Sequence, residues 1–188
     1  MYKNIFRVLS VLLVLSLFIS CAEKERYVTF SGYAQGGTYA VKANLKGVDV
    51  RPDEIAVRID SLLKTIDRSL SGYNRNSILS RFNAGDAVIP DSIFLDIYAR
   101  AFEIYDVTEG CVDPASAPLF DMWGFGFNSE NHPSDEKVKE ALAGCGMDRL
   151  KRNMDEALSE DGKLVPEYLL ATGISGPAPK LNYNAIAQ

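Results

Sequence analysis

Four short segments concentrate the residue types that could hold a ligand. They are Gly32-Tyr33-Ala34-Gln35-Gly36-Gly37-Thr38-Tyr39, Ser71-Gly72-Tyr73-Asn74-Arg75-Asn76-Ser77, Thr108-Glu109-Gly110-Cys111-Val112-Asp113-Pro114 with Trp123-Gly124-Phe125-Gly126 downstream, and Asn182-Tyr183-Asn184-Ala185-Ile186-Ala187-Gln188. Each sets glycine or a small polar residue beside an aromatic or apolar one, at a break between regular elements. Glycine lets a ligand approach the backbone closely. Taken singly, each segment reads equally well as a turn or cap, because Gly, Asn, Ser and Pro dominate turns for backbone reasons of their own. A lone aromatic is more often core than platform.

A familiar hydrolytic apparatus is missing. His132 is the single histidine, and its polar setting, Asn131-His132-Pro133, reads as solvated surface. A Ser-His-Asp triad would need it as the general base, and no GxSxG elbow supplies a serine. No Walker A or dinucleotide-binding glycine fingerprint occurs. No CxxC pair is present, which argues against a structural zinc site. An exported protein could join Cys111 and Cys145 as a disulfide, but their spacing shows no framework, and two buried thiols are expected.

The elements that must position these segments are legible from periodicity. Tyr27 to Tyr33 and Thr38 to Leu45 are rich in β-branched and aromatic residues, and Gln35-Gly36-Gly37 between them predicts a hairpin. Asp53 and Glu54 suit a helix N-terminus. Ile55, Ile59, Leu62, Leu63, Ile66 and Leu70 then recur mostly at spacings of three and four, which predicts one long helix packed by that face. Asn76 or Ser77 caps a short helix carrying Ile78, Leu79 and Phe82, ended by Gly85. Asp91 caps a third helix with Phe94, Leu95, Tyr98, Ala101, Phe102 and Tyr105 on its apolar side. Residues 111–133 read as a long loop, a kind often functional. Ser134 caps a helix carrying Val138, Ala141 and Leu142 before Gly144. Short strands are expected near Leu164-Val165 and Leu181-Tyr183. The mixture predicts an α+β fold, with helices packed on a largely antiparallel mixed sheet.

The beginning of the chain follows an export plan. Lys3 and Arg7 precede an apolar run, Val8 to Ile19. That run is shorter than the roughly 20 residues a bilayer span requires, and it suits the apolar region of a signal peptide. Phe18-Ile19-Ser20-Cys21 resembles a bacterial lipobox, with Phe18 in place of the usual Leu. The resemblance implies a lipoprotein signal peptide over residues 1–20 and a lipid anchor on Cys21. Residues 21–26 then form a charged tether, and the protein is held on a membrane at its periplasmic side or at the cell surface. Several acyl chains bind firmly, since each buried CH₂ contributes about 0.8 kcal/mol. The alternative is a plain secretory signal ending near a cysteine. The net charge is −5 and grows more negative once Lys3 and Arg7 leave, which argues against nucleic acid as a partner.

In order and spacing, the four segments together resemble the FAD:protein FMN transferase family, also called the ApbE family, whose members are often lipoproteins. The family's Met-Gly-Thr segment is matched by Gln35-Gly36-Gly37-Thr38-Tyr39. Its Ser-Thr-Tyr segment with an Asn-ended short helix is similar to Ser71-Gly72-Tyr73 through Ser77, Arg81, Phe82 and Asn83. Thr-Glu-Gly-x-x-Asp-Pro followed by Trp-Gly-Phe-Gly is matched by Thr108 to Pro114 and Trp123 to Gly126, the most specific part. Asp-Leu-Ser-Ala-Ile-Ala-Lys-Gly is resembled by Asn182 to Gln188. On this resemblance, residues 27–188 are the N-terminal part of a flavin transferase domain. Such enzymes bind FAD with Mg²⁺, cleave the pyrophosphate and attach FMN by a phosphoester to a threonine of an acceptor flavoprotein. The resemblance implies that Gln35, Tyr73, Cys111, Val112, Asp113, Asn182 and Gln188 contact FAD. It also implies that the Ala185 carbonyl is a metal ligand, as suits a hard cation that prefers oxygen. It assigns no catalytic residue to this chain.

Departures from the pattern are specific. Gln35 stands for Met, Gly37 and Gly72 for Thr, Asn182 for Asp and Gln188 for Lys. The last two put neutral amides where the family has a carboxylate and an ammonium. The family pattern continues past the position of Gln188 into a half that carries a histidine near the flavin and an Asp and a Thr of the metal site. The expectation is therefore a fragment lacking the catalytic centre, incomplete in fold at its C-terminus. Two other readings remain: a non-catalytic lipoprotein that binds flavin or a partner, and an FAD pyrophosphatase yielding FMN and AMP.

The lipid anchor gives the first prediction. Cys21→Ser should move the protein from the membrane to the soluble fraction and abolish the acyl mass on its mature N-terminus. A wild-type N-terminal peptide with an unmodified thiol contradicts the anchor.

Overall fold

The computed structural model describes residues 25–125, 132–174, 176–184 and 186. Contacts divide the chain into two compact units, with the boundary after Asp60. Cys21, Ala185 and Gln188 lie outside the described residues.

The first unit holds an antiparallel hairpin of β1 (Tyr27–Ala34) and β2 (Gly37–Asn44). Its register pairs Tyr27 with Asn44 and Ala34 with Gly37. The two residues between the strands, Gln35 (φ 52°) and Gly36 (φ 79°), both have positive φ. Two-residue turns of this kind match the right-handed twist of the strands. Gly32 faces Tyr39 across the ladder, and the Tyr39 ring lies where a Gly32 side chain would go.

Helix α1 (Pro52–Leu70) follows, with Asp53 and Glu54 in its first turn and Arg68 in its last. Its apolar face is less uniform than its periodicity predicts. Leu70 is buried, Ile55, Ile59, Leu63 and Ile66 are half-buried, and Leu62 is exposed. Leu62 lies about 100° from Leu63 around the helix, at the margin of the stripe.

In the second unit, α2 (Ile78–Asn83), α3 (Ser92–Val107), α4 (Ala117–Met122) and α5 (Asp135–Ala143) are followed by 3₁₀ turns at Met147–Arg149, Met154–Ala157 and Pro166–Leu169. The caps are the expected ones. Ser77 accepts from the Ser80 amide, Asp91 from the Phe94 amide and Ser134 from the Lys137 amide. Asp91 also takes a second bond. The buried Ser69 hydroxyl donates to the same Oδ1 at 2.7 Å, tying the end of α1 to the start of α3. The core gathers Leu79, Phe82, Val88, Phe94, Tyr98, Ala101, Met147, Leu164, Leu169, Leu181 and Tyr183. Phe94 meets Phe82 and Tyr183 edge-on, each at 6.0 Å between ring centroids, a favoured aromatic geometry.

Three expectations are corrected. Residues 111–133 are not one loop, because α4 forms within them, with Pro118 in its first turn where a missing N–H does no harm. Leu164 makes isolated bridges to Val88 and Leu158, and Leu181–Tyr183 forms no strand, so the sheet among the described residues has two strands. The α+β class stands. Cys145 is buried, but Cys111 is exposed, and both are free thiols; Cys111 falls in the bend after Gly110, outside the core. Among the described residues no helix is long and apolar enough to cross a membrane.

Phe94 is fully buried between two other rings. Phe94→Ala should therefore destabilise the protein by about 3–5 kcal/mol in urea unfolding. A loss below about 1 kcal/mol contradicts this core.

Candidate functional site

The second unit contains a cleft of about 350 Å³, lined by residues of the second and fourth segments, α2, α4 and Lys180. Its size falls in the range of roughly 300–1,000 Å³ typical of small-molecule sites. Tyr73 and Asn182, both assigned to a ligand by the family resemblance, line it together.

Tyr73 is placed by a tight turn after α1. The Ser71 hydroxyl accepts from the amides of Tyr73 and Asn74 at 3.2 and 3.0 Å. The Ser71 carbonyl accepts from the hydroxyls of Ser77 and Ser80 at 2.6 and 3.0 Å. Asn74 donates to Asp67 at 2.7 Å. This serine and asparagine lattice, local in sequence, holds the Tyr73 ring half-exposed at the cleft. The Tyr73 hydroxyl donates to the Phe125 carbonyl at 3.4 Å, and the Phe125 ring lies 5.5 Å from that of Phe120, another lining residue.

The fourth segment is placed by long-range bonds. The Ala117 amide donates to the Lys180 carbonyl at 3.3 Å, and the Asn182 amide to the Pro114 carbonyl at 2.7 Å. Between them, Asn83 at the end of α2 bonds both backbone groups of Leu181. Leu181 and Tyr183 are buried and Asn182 and Asn184 half-buried, so the two asparagines line the cleft. The Asn184 amide donates to Asn182 Oδ1 at 2.9 Å.

Cys111, Val112 and Asp113 are not among the lining residues. The Val112 amide donates to Thr108 Oγ1 at 3.1 Å. Asp113 Oδ1 accepts from the amides of Ala115 and Met147 at 2.9 and 3.2 Å, joining this segment to the following 3₁₀ turn. Burial pushes the Asp113 carboxyl above its ordinary range, against the pull of those two amides. Gln35 belongs to the first unit, at the tip of the β1–β2 turn and half-buried.

The cleft also contains residues to which no motif assigns a role: Arg75, Asn83, Phe120, Asp121 and Lys180. Arg75 and Lys180 bring positive charge, which favours an anionic group. Burial raises the Asp121 carboxyl, and the charge of Lys180 opposes that rise. Lys180 stands two residues before Asn182, and that adjacency to the fourth segment is the one signal the sequence holds for it. Asp121 carries none, being in a stretch that reads as loop. Among the described residues no group of three or more His, Cys, Asp or Glu could hold a metal ion.

The fold is thus of the α+β class, and its second unit holds a cleft of mixed apolar and polar lining, carrying Arg75 and Lys180, assembled from segments far apart in sequence. The ApbE family model matches residues 26–188, and the chain belongs to that family. It is 30% identical over 174 residues to an FAD:protein FMN transferase of Haemophilus influenzae, covering 89% of this chain and 50% of that one. It is 28% identical over 145 residues to the FAD:protein FMN transferase of Escherichia coli K12, covering 71% and 41%. Among solved structures it resembles the flavin transferase ApbE from Vibrio cholerae, with a TM-score of 0.71, 25% identity and coverage of 87% and 50%. It is similar also to the apo form of the Pseudomonas stutzeri flavinyl transferase ApbE, at a TM-score of 0.68, 25% identity and coverage of 87% and 49%. The chain spans about half the length of the relatives it matches.

The raised Asp121 carboxyl predicts a pH effect. The folded state holds this proton more tightly than the unfolded chain does. Stability therefore falls as pH rises from the ordinary aspartate value, about 3.9, through the higher folded value, and stays reduced above it. Asp121→Asn should raise the urea midpoint at pH 7 relative to wild type, with the gain vanishing below about pH 4. An equal or lower midpoint at pH 7 contradicts the assignment.

Proposed function

We propose that the complete protein is a flavin transferase that moves FMN from FAD to a threonine of an acceptor flavoprotein. The threonine hydroxyl forms a new bond to the FMN phosphorus, the pyrophosphate bond to AMP breaks, AMP leaves, and the hydroxyl proton passes to solvent. The observation that carries this reading is the joining of aromatic faces, Tyr73 and Phe120, with the cations Arg75 and Lys180 in one cleft. A flavin nucleotide offers a flat ring system for the first pair and an anionic pyrophosphate for the second. Asn182 and Asn184 add neutral hydrogen-bonding groups at the same wall. Phosphoryl transfer asks a protein mainly for position and charge stabilisation, and this cleft is suited to supply both.

The proposal includes Mg²⁺, which would neutralise charge developing on the phosphates. The Ala185 carbonyl that the resemblance assigns to it lies outside the described residues, and among the described residues the carboxylates form no metal site. No step is therefore assigned to the metal through them. Gln35, Cys111, Val112, Asp113 and Gln188 remain proposed flavin contacts on the strength of the motif match alone. A lipid on Cys21, holding the enzyme on the periplasmic side of a membrane or at the cell surface, belongs to the same proposal and rests on the signal pattern of the first residues.

Full-length protein incubated with FAD, Mg²⁺ and an acceptor should give an acceptor adduct heavier by one esterified FMN. Release of AMP without acceptor would indicate hydrolysis instead. Lys180→Ala should weaken FAD binding about tenfold, equivalent to about 1.4 kcal/mol, in a fluorescence titration. Absence of FAD binding by the wild type contradicts the proposal.

A further inference from the structure

We propose that Asn83 is a positioning residue for flavin-nucleotide binding, clamping the backbone of Leu181 so that Asn182 is presented to the cleft. The inference rests on the flavin reading of that cleft and adds to it a residue that touches the chain at the site rather than the reacting atoms.

The clamp is two-sided. Asn83 Nδ2 donates to the Leu181 carbonyl at 2.7 Å, and Asn83 Oδ1 accepts from the Leu181 amide at 2.9 Å, across 98 positions of sequence. A primary amide satisfies both at once because it carries a donor and an acceptor side by side. An ionised carboxylate offers only acceptors, and its second oxygen would face the Leu181 carbonyl. Alanine offers neither. Glutamine has the right groups but sets them one methylene farther from the backbone.

The base of the clamp is fixed. Helix α2 is held at its start by Ser77, which caps the Ser80 amide at 2.9 Å and donates to the Ser71 carbonyl. Leu79 and Phe82 anchor the helix in the core, each 1% exposed. Asn83 therefore transmits the position of a rigid element to a segment with no strand or helix of its own. The bonds on either side, from the Ala117 amide to Lys180 and from Asn182 to Pro114, hold one backbone group each. Leu181 is the residue of the three held through both its N–H and its C=O. Its side chain and that of Tyr183 are buried, so a twist of the backbone at Leu181 redirects Asn182 directly.

A residue that only stabilised the fold would lower the unfolding midpoint and leave the affinity of the folded protein unchanged. A positioning residue changes affinity while the protein is fully folded, because displacing a binding group by about 1 Å can cost up to 10²-fold. The experiment uses full-length protein, with FAD titrated by fluorescence and urea unfolding measured in parallel. Asn83→Ala should bind FAD at least about tenfold more weakly than wild type under conditions where both are folded. Asn83→Asp should be comparably weak at pH 7.5. It should recover toward wild type, measured at the same pH, near pH 3.5, where an aspartate of ordinary pKa, about 3.9, is mostly protonated and again offers donor and acceptor. Tyr98→Phe, which removes the core bond from the Tyr98 hydroxyl to the Lys151 carbonyl, should lower stability and leave FAD affinity unchanged.

If Asn83→Ala fails to fold, the acid recovery of Asn83→Asp decides. Wild-type affinity in both Asn83 variants, or no acid recovery in Asn83→Asp, overturns the inference while the flavin reading stands. A wild type that binds no FAD removes the flavin reading and this inference with it.

Discussion

Leu181 and Tyr183 are driven into the core, and the rest of the site depends on that burial. Each is 1% exposed. Tyr183 lies edge-on to Phe94, which in turn meets Phe82 of α2. In an extended stretch successive side chains point to opposite sides, and the burial here alternates accordingly, with Asn182 and Asn184 left at the cleft. One short segment thus supplies Tyr183 to the aromatic cluster and Asn182 and Asn184 to the cleft, with the buried Leu181 also at the cleft wall. A register slip of one residue would move the asparagines toward the core and Tyr183 toward the cleft. The backbone bonds from Asn83, Pro114 and Ala117 oppose such a slip.

This explains why local signals succeed at some positions and fail at others. Ser77, Asp91 and Ser134 are readable as caps because a cap is decided within four residues. The β1–β2 hairpin is readable because two strand-like runs flank a glycine-rich link in which Gly36 takes positive φ freely; the positive φ of Gln35 carries no such signal. The runs near Leu164 and Leu181 look like strands for a sound reason, being apolar and alternating. A strand, however, needs a neighbour along its length. Leu164 finds bridge partners at Val88 and Leu158 only, and Leu181 finds a side chain, Asn83, that imitates a backbone neighbour. Helix α4 is hidden in the sequence because Pro118 and the glycines after it read as loop, although proline in a first turn is compatible with a helix.

The candidate site divides the same way. Tyr73 and Asn182 can be named from motifs, since each stands in a recognisable segment. Arg75, Asp121 and Lys180 cannot be given a role, because a single charged residue in a polar stretch is ordinary surface until folding gathers several. Asp113 shows a motif residue with a structural role: its carboxylate takes two backbone amides and joins the bend after Gly110 to Met147. The family membership names the kind of ligand to test in this cleft.

Whether the cleft between Tyr73, Lys180 and Asn182 receives a flavin nucleotide is tested most directly by a crystal structure of the full-length protein soaked with FAD. The predicted result is density for the nucleotide in that cleft, with its pyrophosphate within hydrogen-bond reach of Lys180 or Arg75. An ordered nucleotide bound elsewhere, with this cleft holding only solvent, would contradict it.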